Sequence, residues 1–106
     1  MGFNNKNVDI TKNIKVIEWL KSELLTTVAS LFDYLLKGAK ESQEAILDVL
    51  ANVILVTYLL GKRLGLSFES IDSKIESKIK LGVVEDHKIE KWYGDLSRLL
   101  EHFKRR

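Results

Sequence analysis

The 106 residues include no cysteine and no proline, only two histidines and one methionine. Without cysteine the chain has no disulfide scaffold, no thiolate-bound zinc or iron–sulfur centre and no cysteine nucleophile. A reducing, cytoplasmic setting fits that composition. An excess of charge is missing too: 17 basic side chains face 15 acidic ones, giving +2, and the signs are interspersed. Such a surface is solvated, whereas nucleic-acid binding calls for a concentrated basic face. The single dense run, Lys104-Arg105-Arg106, reads as a charged chain end. The first seven residues lack a hydrophobic signal core, so export is not expected, and Lys6 stands where a myristoylation signal needs Ser or Thr. The longest apolar run, residues 49–61, is interrupted by Asn52 and preceded by Asp48. It is shorter than the ~20 residues that cross a bilayer and predicts a buried helix with no membrane partner. No phosphate-cradling glycine loop, nucleophile elbow or His-x-x-x-His helix occurs, and His87 and His102 lie far apart, as solvated side chains do.

Capping residues, glycines and apolar periodicity predict an all-α fold, an antiparallel bundle of about four helices in one domain over residues 9–106, after a flexible segment 1–8. A chain of this length has room for one core. The first helix is expected from Asp9 or Thr11 to Lys37, with Gly38 as a left-handed stop and a stripe of Ile14, Ile17, Leu20, Leu24, Val28, Leu31 and Leu35. Ser42 is expected to cap the second, which ends at Leu64-Gly65-Leu66 in a Schellman pattern. Ser67 caps a third with one narrow stripe, Phe68, Ile71, Ile75 and Ile79, ending before Gly82. The fourth starts near Asp86 and carries Ile89, Trp92, Tyr93, Leu96, Leu99, Leu100 and Phe103.

Between Val49 and Leu60 the second helix is apolar nearly all round, which requires cover on every side. The other helices supply only part of it. The expectation is therefore a homo-oligomer, a dimer in its simplest form and otherwise a tetramer, with a wrapped monomeric bundle as the alternative. Trp19, Tyr58, Trp92 and Tyr93 are assigned to packing.

One polar stripe interrupts that helix: Glu41, Glu44, Asp48 and Asn52 follow at three- and four-residue steps and share a face. Glu44 and Asp48 at i and i+4 suit one Mg²⁺, which takes one or two protein carboxylates and fills its octahedron with water and phosphate oxygens. The same residues also suit a helix N-terminus whose dipole favours acids, with Asp48 paired to a cation.

The stretch Lys37-Gly38-Ala39-Lys40-Glu41-Ser42-Gln43-Glu44-Ala45-Ile46-Leu47-Asp48-Val49-Leu50, then an apolar helix and Leu64-Gly65-Leu66-Ser67, resembles the MazG-like branch of the all-α nucleoside triphosphate pyrophosphohydrolases. The likeness runs from about Ile14 to Gly82, and Glu90-Lys91-Trp92-Tyr93-Gly94-Asp95-Leu96 is similar to the shorter MazG-like proteins. Active members hold Mg²⁺ with EExxE on one helix and ExxD on the next, and cleave a nucleotide between its α and β phosphates. Here the first motif falls on Thr26-Thr27-Val28-Ala29-Ser30 and the second on Ala45-Ile46-Leu47-Asp48, so one carboxylate survives, with Glu44 one residue before the lost ligand. Hydroxyls are weak neutral ligands for a hard dication.

The resemblance therefore implies a MazG-like protein of little or no hydrolytic activity that acts by binding a nucleoside triphosphate or another protein. Thr26, Thr27, Ser30, Lys37 and Lys40 are the candidate nucleotide contacts, joined by Lys62 or Arg63. The alternative is an active Mg²⁺-dependent pyrophosphohydrolase in which Glu44 and Asp48 hold the ion and Glu23 or Asp33 supplies a further ligand.

Overall fold

The computed structural model describes residues 2–38, 42–85 and 87–105, with side chains from Asp9 onward. Among these residues every regular element is an α-helix: α1 (Gly2–Lys37), α2 (Gln43–Arg63), α3 (Phe68–Val84), α4 (Lys88–Tyr93) and α5 (Asp95–Lys104). They divide into two compact units, Met1–Leu66 and Ser67–Arg106.

In the first unit α1 and α2 form an antiparallel hairpin. Two hydrogen-bonded pairs set its direction, Asn13 with Arg63 and Thr27 with Asn52, since the partner number falls as the α1 number rises. The seam between the helices follows a seven-residue step. Asn13, Leu20 and Thr27 line it on α1, and Val49, Val56 and Arg63 on α2, with Leu20 2% exposed and Thr27 5%. Seven-residue spacing is the pattern that keeps two helices in contact along their length. Leu24, Val28 and Leu31 are half-buried beside the seam, while Ile14 and Leu35 at the two ends of the expected stripe are exposed.

α1 begins at Gly2 instead of Asp9 or Thr11, so the helical backbone takes in residues 2–8, which the sequence reading places ahead of it. No proline lies there to remove an amide donor, so the early helix needs no break. Gly38 at φ +60° and Gly65 at φ +93° take the left-handed conformation expected of helix stops. At Gly65 the amide of Leu66 donates to Gly61 O at 2.9 Å and that of Gly65 to Lys62 O at 3.1 Å, the paired bonds of a Schellman motif. Ser42 Oγ accepts from the Ala45 amide at 3.1 Å and Ser67 Oγ from the Ser70 amide at 3.0 Å, so both N-caps form as expected. By length and composition α2, at 21 residues, is able to cross a membrane, because the helix is longer than the apolar run within it. In this fold α2 packs lengthwise on α1 through Val49 and Val56, and the apolar run is not buried as expected: Leu50, Ile54, Leu55 and Leu59 are exposed, because one partner helix covers one face.

In the second unit α5 lies on α3, burying Ile79 and half-burying Ile71, Ile75, Leu96, Leu100 and Phe103. α3 does not stop before Gly82 but runs on to Val84. Gly82 keeps a helical backbone there and lies against α5: a Cβ on it would meet Leu96 Cδ1 at 2.7 Å, so the glycine sits in the α3–α5 contact and not at a stop.

The expected fourth helix is two helices, divided at Gly94 with φ +69°. Asp86 lies outside the described residues, and α4 is instead capped by His87, whose Nδ1 accepts from the Ile89 amide at 3.1 Å. Gly94 has no side chain to cap α5, and the Glu90 carboxylate does so in its place. It accepts from the Ser97 amide at 3.0 Å and from the Ser97 hydroxyl. These bonds favour the ionised form and hold the Glu90 carboxyl below the usual carboxylate range, the Ser97 hydroxyl contributing most. The break leaves Ile89, Trp92 and Tyr93 exposed on α4 instead of extending the α5 stripe.

Candidate functional site

The residues singled out by sequence all belong to the hairpin unit. Thr27 sits in the seam because it continues the seven-residue step from Leu20, and there its hydroxyl is used twice. It donates to Glu23 O at 2.7 Å, the usual back-bond of a helical threonine, and accepts from Asn52 Nδ2 at 3.3 Å. Among the described residues no buried side-chain nitrogen or oxygen lacks a partner, so this polar pair is satisfied within an otherwise apolar seam.

The antiparallel register places Asp48 beside the 28–31 turn of α1, at the level of Ser30 and one turn from Thr26 and Thr27. Thr26 is exposed and Ser30 half-buried. Glu44 and Asp48 are both exposed on α2, Glu44 in the first turn. Glu23 stands at least five residues from that level toward the open end of the hairpin, about 7.5 Å along the axis. Asp33 is turned to Lys37, whose Nζ lies 3.2 Å from its carboxylate and 5.8 Å from the Tyr34 ring centre. Lys40 and Glu41 lie outside the described residues.

Among the described residues no three His, Cys, Asp or Glu side chains gather where a metal ion could be held. Two exposed carboxylates a turn apart leave most of an octahedron to water, and the neutral Thr27–Asn52 contact adds no charge. The donor set does not fit a tightly held Mg²⁺.

A family model described as the MazG-like family matches residues 10–96. The chain belongs to the MazG-like family. That membership relates it to the helical proteins of nucleoside triphosphate pyrophosphohydrolase type and accounts for the all-α fold. No curated protein and no solved structure shows significant similarity to it. In this MazG-like chain the hairpin carries the positions at which the resemblance puts the EExxE and ExxD motifs, on facing helices and at matching levels.

Sequence reasoning misses the Asn13–Arg63 pair, in which Asn13 Nδ2 donates to Arg63 O at 3.1 Å and Arg63 donates to Asn13 Oδ1 at 3.4 Å. Its one signal is the spacing, Asn13 standing seven residues before Leu20 on the seam.

Proposed function

We propose that this MazG-like protein acts by binding, as a homo-oligomer in the cytoplasm, and has little or no hydrolytic activity. The observation that carries the reading is the Thr27–Asn52 hydrogen bond at the level where active relatives need carboxylates. The absence of any three-ligand acidic cluster among the described residues supports it. A nucleoside triphosphate is one ligand class, reached through Thr26, Ser30 and Lys37 at the closed end of the hairpin; Lys40, a further candidate from sequence, lies outside the described residues. The Thr27 hydroxyl is already engaged and buried, so its part is to shape the wall. A protein is the other class.

Oligomerisation rests on a separate observation. In α1, Ile14, Leu25, Phe32 and Leu36 share one face, and in α2 Leu47, Leu50 and Ile54 share another; all seven are exposed. Apolar surface on this scale marks an interaction site. A second copy offers the same faces, and a two-fold pair of hairpins makes a four-helix core.

The deciding assay incubates the protein with deoxy- and ribonucleoside triphosphates and Mg²⁺ or Mn²⁺, and measures pyrophosphate release beside an Asp48→Ala control. No turnover, together with saturable nucleotide or protein binding, is the expected result. Turnover that Asp48→Ala abolishes would establish instead an active pyrophosphohydrolase built on Glu44 and Asp48, with Glu23 or Asp33 drawn in.

A further inference from the structure

Toward the open end of the hairpin, away from the level of Ser30 and Asp48, residues 9–20 of α1 and 59–63 of α2 line an open cleft of about 890 Å³. That is the size of a small-molecule site, which typically spans roughly 300–1,000 Å³. Its walls are apolar, with Ile10, Leu20 and Leu59 among them, and Trp19 lines it while remaining 61% exposed. Among the described residues three cationic side chains, Lys12, Lys62 and Arg63, line it against the single carboxylate of Asp9.

Two of these cations have an ordinary explanation. Lys62 and Arg63 occupy the last turn of α2, where the helix dipole favours positive charge. The dipole does not account for Lys12, which stands on the other helix, nor for a tryptophan left open to solvent in the same cleft. Arg63 is, moreover, held in place. Asn13 binds its carbonyl at 3.1 Å and receives one guanidinium N–H at 3.4 Å. A guanidinium has five N–H donors in a rigid fork, so one contact to Asn13 engages only one of them. An arginine tied to the facing helix beside two lysines and an apolar wall has the features of an oxyanion site joined to an apolar slot.

We propose that this cleft binds a small organic oxyanion, its apolar body against Trp19 and Leu59 and its phosphate or carboxylate on Arg63, with Lys12 and Lys62 supplying charge. The site is distinct from the motif level on the hairpin and stands whether or not the chain hydrolyses nucleotides.

The test uses the full chain carrying Trp92→Phe, so that Trp19 is the one remaining tryptophan. Phenyl phosphate, 4-phenylbutyrate and the uncharged 4-phenylbutanol are titrated while Trp19 fluorescence and the amide resonances of residues 9–20 and 59–63 are followed. Saturable binding of either anion is expected, about tenfold weaker in Arg63→Gln and weaker still for the alcohol, as loss of a charge-assisted contact implies. The two anions separate a phosphate site from a carboxylate site. Lys12→Gln, which leaves the Asn13–Arg63 pair intact, is the second variant should Arg63→Gln fail to fold, and it is expected to weaken anion binding with helicity unchanged. No saturable response, binding of alcohol and anions with equal affinity, or anion binding indifferent to the substitutions would each overturn the proposal.

Discussion

Asn52 Nδ2 donates to Thr27 Oγ1 at 3.3 Å across the α1–α2 seam, and the same hydroxyl donates to Glu23 O at 2.7 Å. Leu20, Val49 and Val56, the seam's other buried side chains beside Thr27, are apolar, so Thr27 offers the half-buried Asn52 amide a polar contact across an otherwise hydrocarbon seam. A hydrocarbon seam tolerates sliding by a turn at modest cost. A polar pair raises that cost, because a shifted register breaks the bond across the seam and sets the half-buried Asn52 amide against hydrocarbon. The contact therefore favours one register, at the level to which the resemblance assigns the first motif.

Thr27→Val keeps the shape and removes the hydroxyl, so the half-buried Asn52 amide loses its contact across the seam. Urea unfolding is expected to show a loss of about 1–3 kcal/mol. The double variant Thr27→Val, Asn52→Leu should recover most of that loss, since it removes both polar partners together. A double-mutant cycle with no coupling would mean that the bond contributes nothing to the hairpin.

In the second unit the α4–α5 elbow depends on an ionised Glu90. Its pKa is lowered in the folded chain by the Ser97 hydroxyl and amide, so the contribution is present above the unfolded carboxyl value and disappears as pH falls through the lowered folded one. The thermal midpoint of the wild type should drop more steeply than that of Glu90→Gln between mildly and strongly acidic pH, with the two curves converging at the acid end. The Ser97 amide resonance should titrate with the same profile. Parallel curves would remove Glu90 from the elbow's pH response.

How much of this was open to reading in the chain differs by element. Ser42, Ser67, Gly38 and Gly65 act within a turn of themselves, and each does in the fold what its local chemistry predicts. Gly94 is another matter. One glycine inside an amphipathic stripe costs only about 1 kcal/mol in a helix, so periodicity passes through it. What turns it into a break is Glu90 reaching Ser97, a contact made only once the chain has turned. Gly82 is misread for a related reason, since its use lies in the nearness of Leu96 and a stop looks the same in sequence. At the site, the placing of the two motif stretches on successive helices followed from the resemblance, whereas the Asn52 bond and the Asn13–Arg63 pair needed the hairpin register. Of the substitute ligands named from sequence, Glu23 stands more than a turn from the Asp48 level along α1, and Asp33 is paired with Lys37.

Ile54 is 59% exposed in the single chain, so replacing it by lysine costs the protomer little while placing a charge in any interface built on that face. Sedimentation at micromolar concentration is expected to find the wild type as a dimer or tetramer and Ile54→Lys as a helical monomer. A monomeric wild type would remove the oligomer from the proposed function and leave these apolar faces for a different partner.

Restoring the missing carboxylates tests the reading of the site from the opposite direction. The variant with Thr26→Glu, Thr27→Glu, Ser30→Glu and Ala45→Glu places acids at every motif position beside Asp48, on helices whose register already brings those levels together. Without metal it should be less stable than the wild type, because it loses the Thr27–Asn52 bond and gathers like charges. With Mg²⁺ it should regain stability as RT ln(1 + [Mg²⁺]/Kd), about 2.7 kcal/mol at a hundredfold excess over Kd, while the wild-type midpoint stays unmoved. A wild type that Mg²⁺ stabilises by itself would show that its two exposed carboxylates suffice for the ion. Failure of the variant to respond would show that the facing helices do not place the motif positions around a common point. The two failures lie in different proteins, so one titration series distinguishes a lost metal site from a misplaced one.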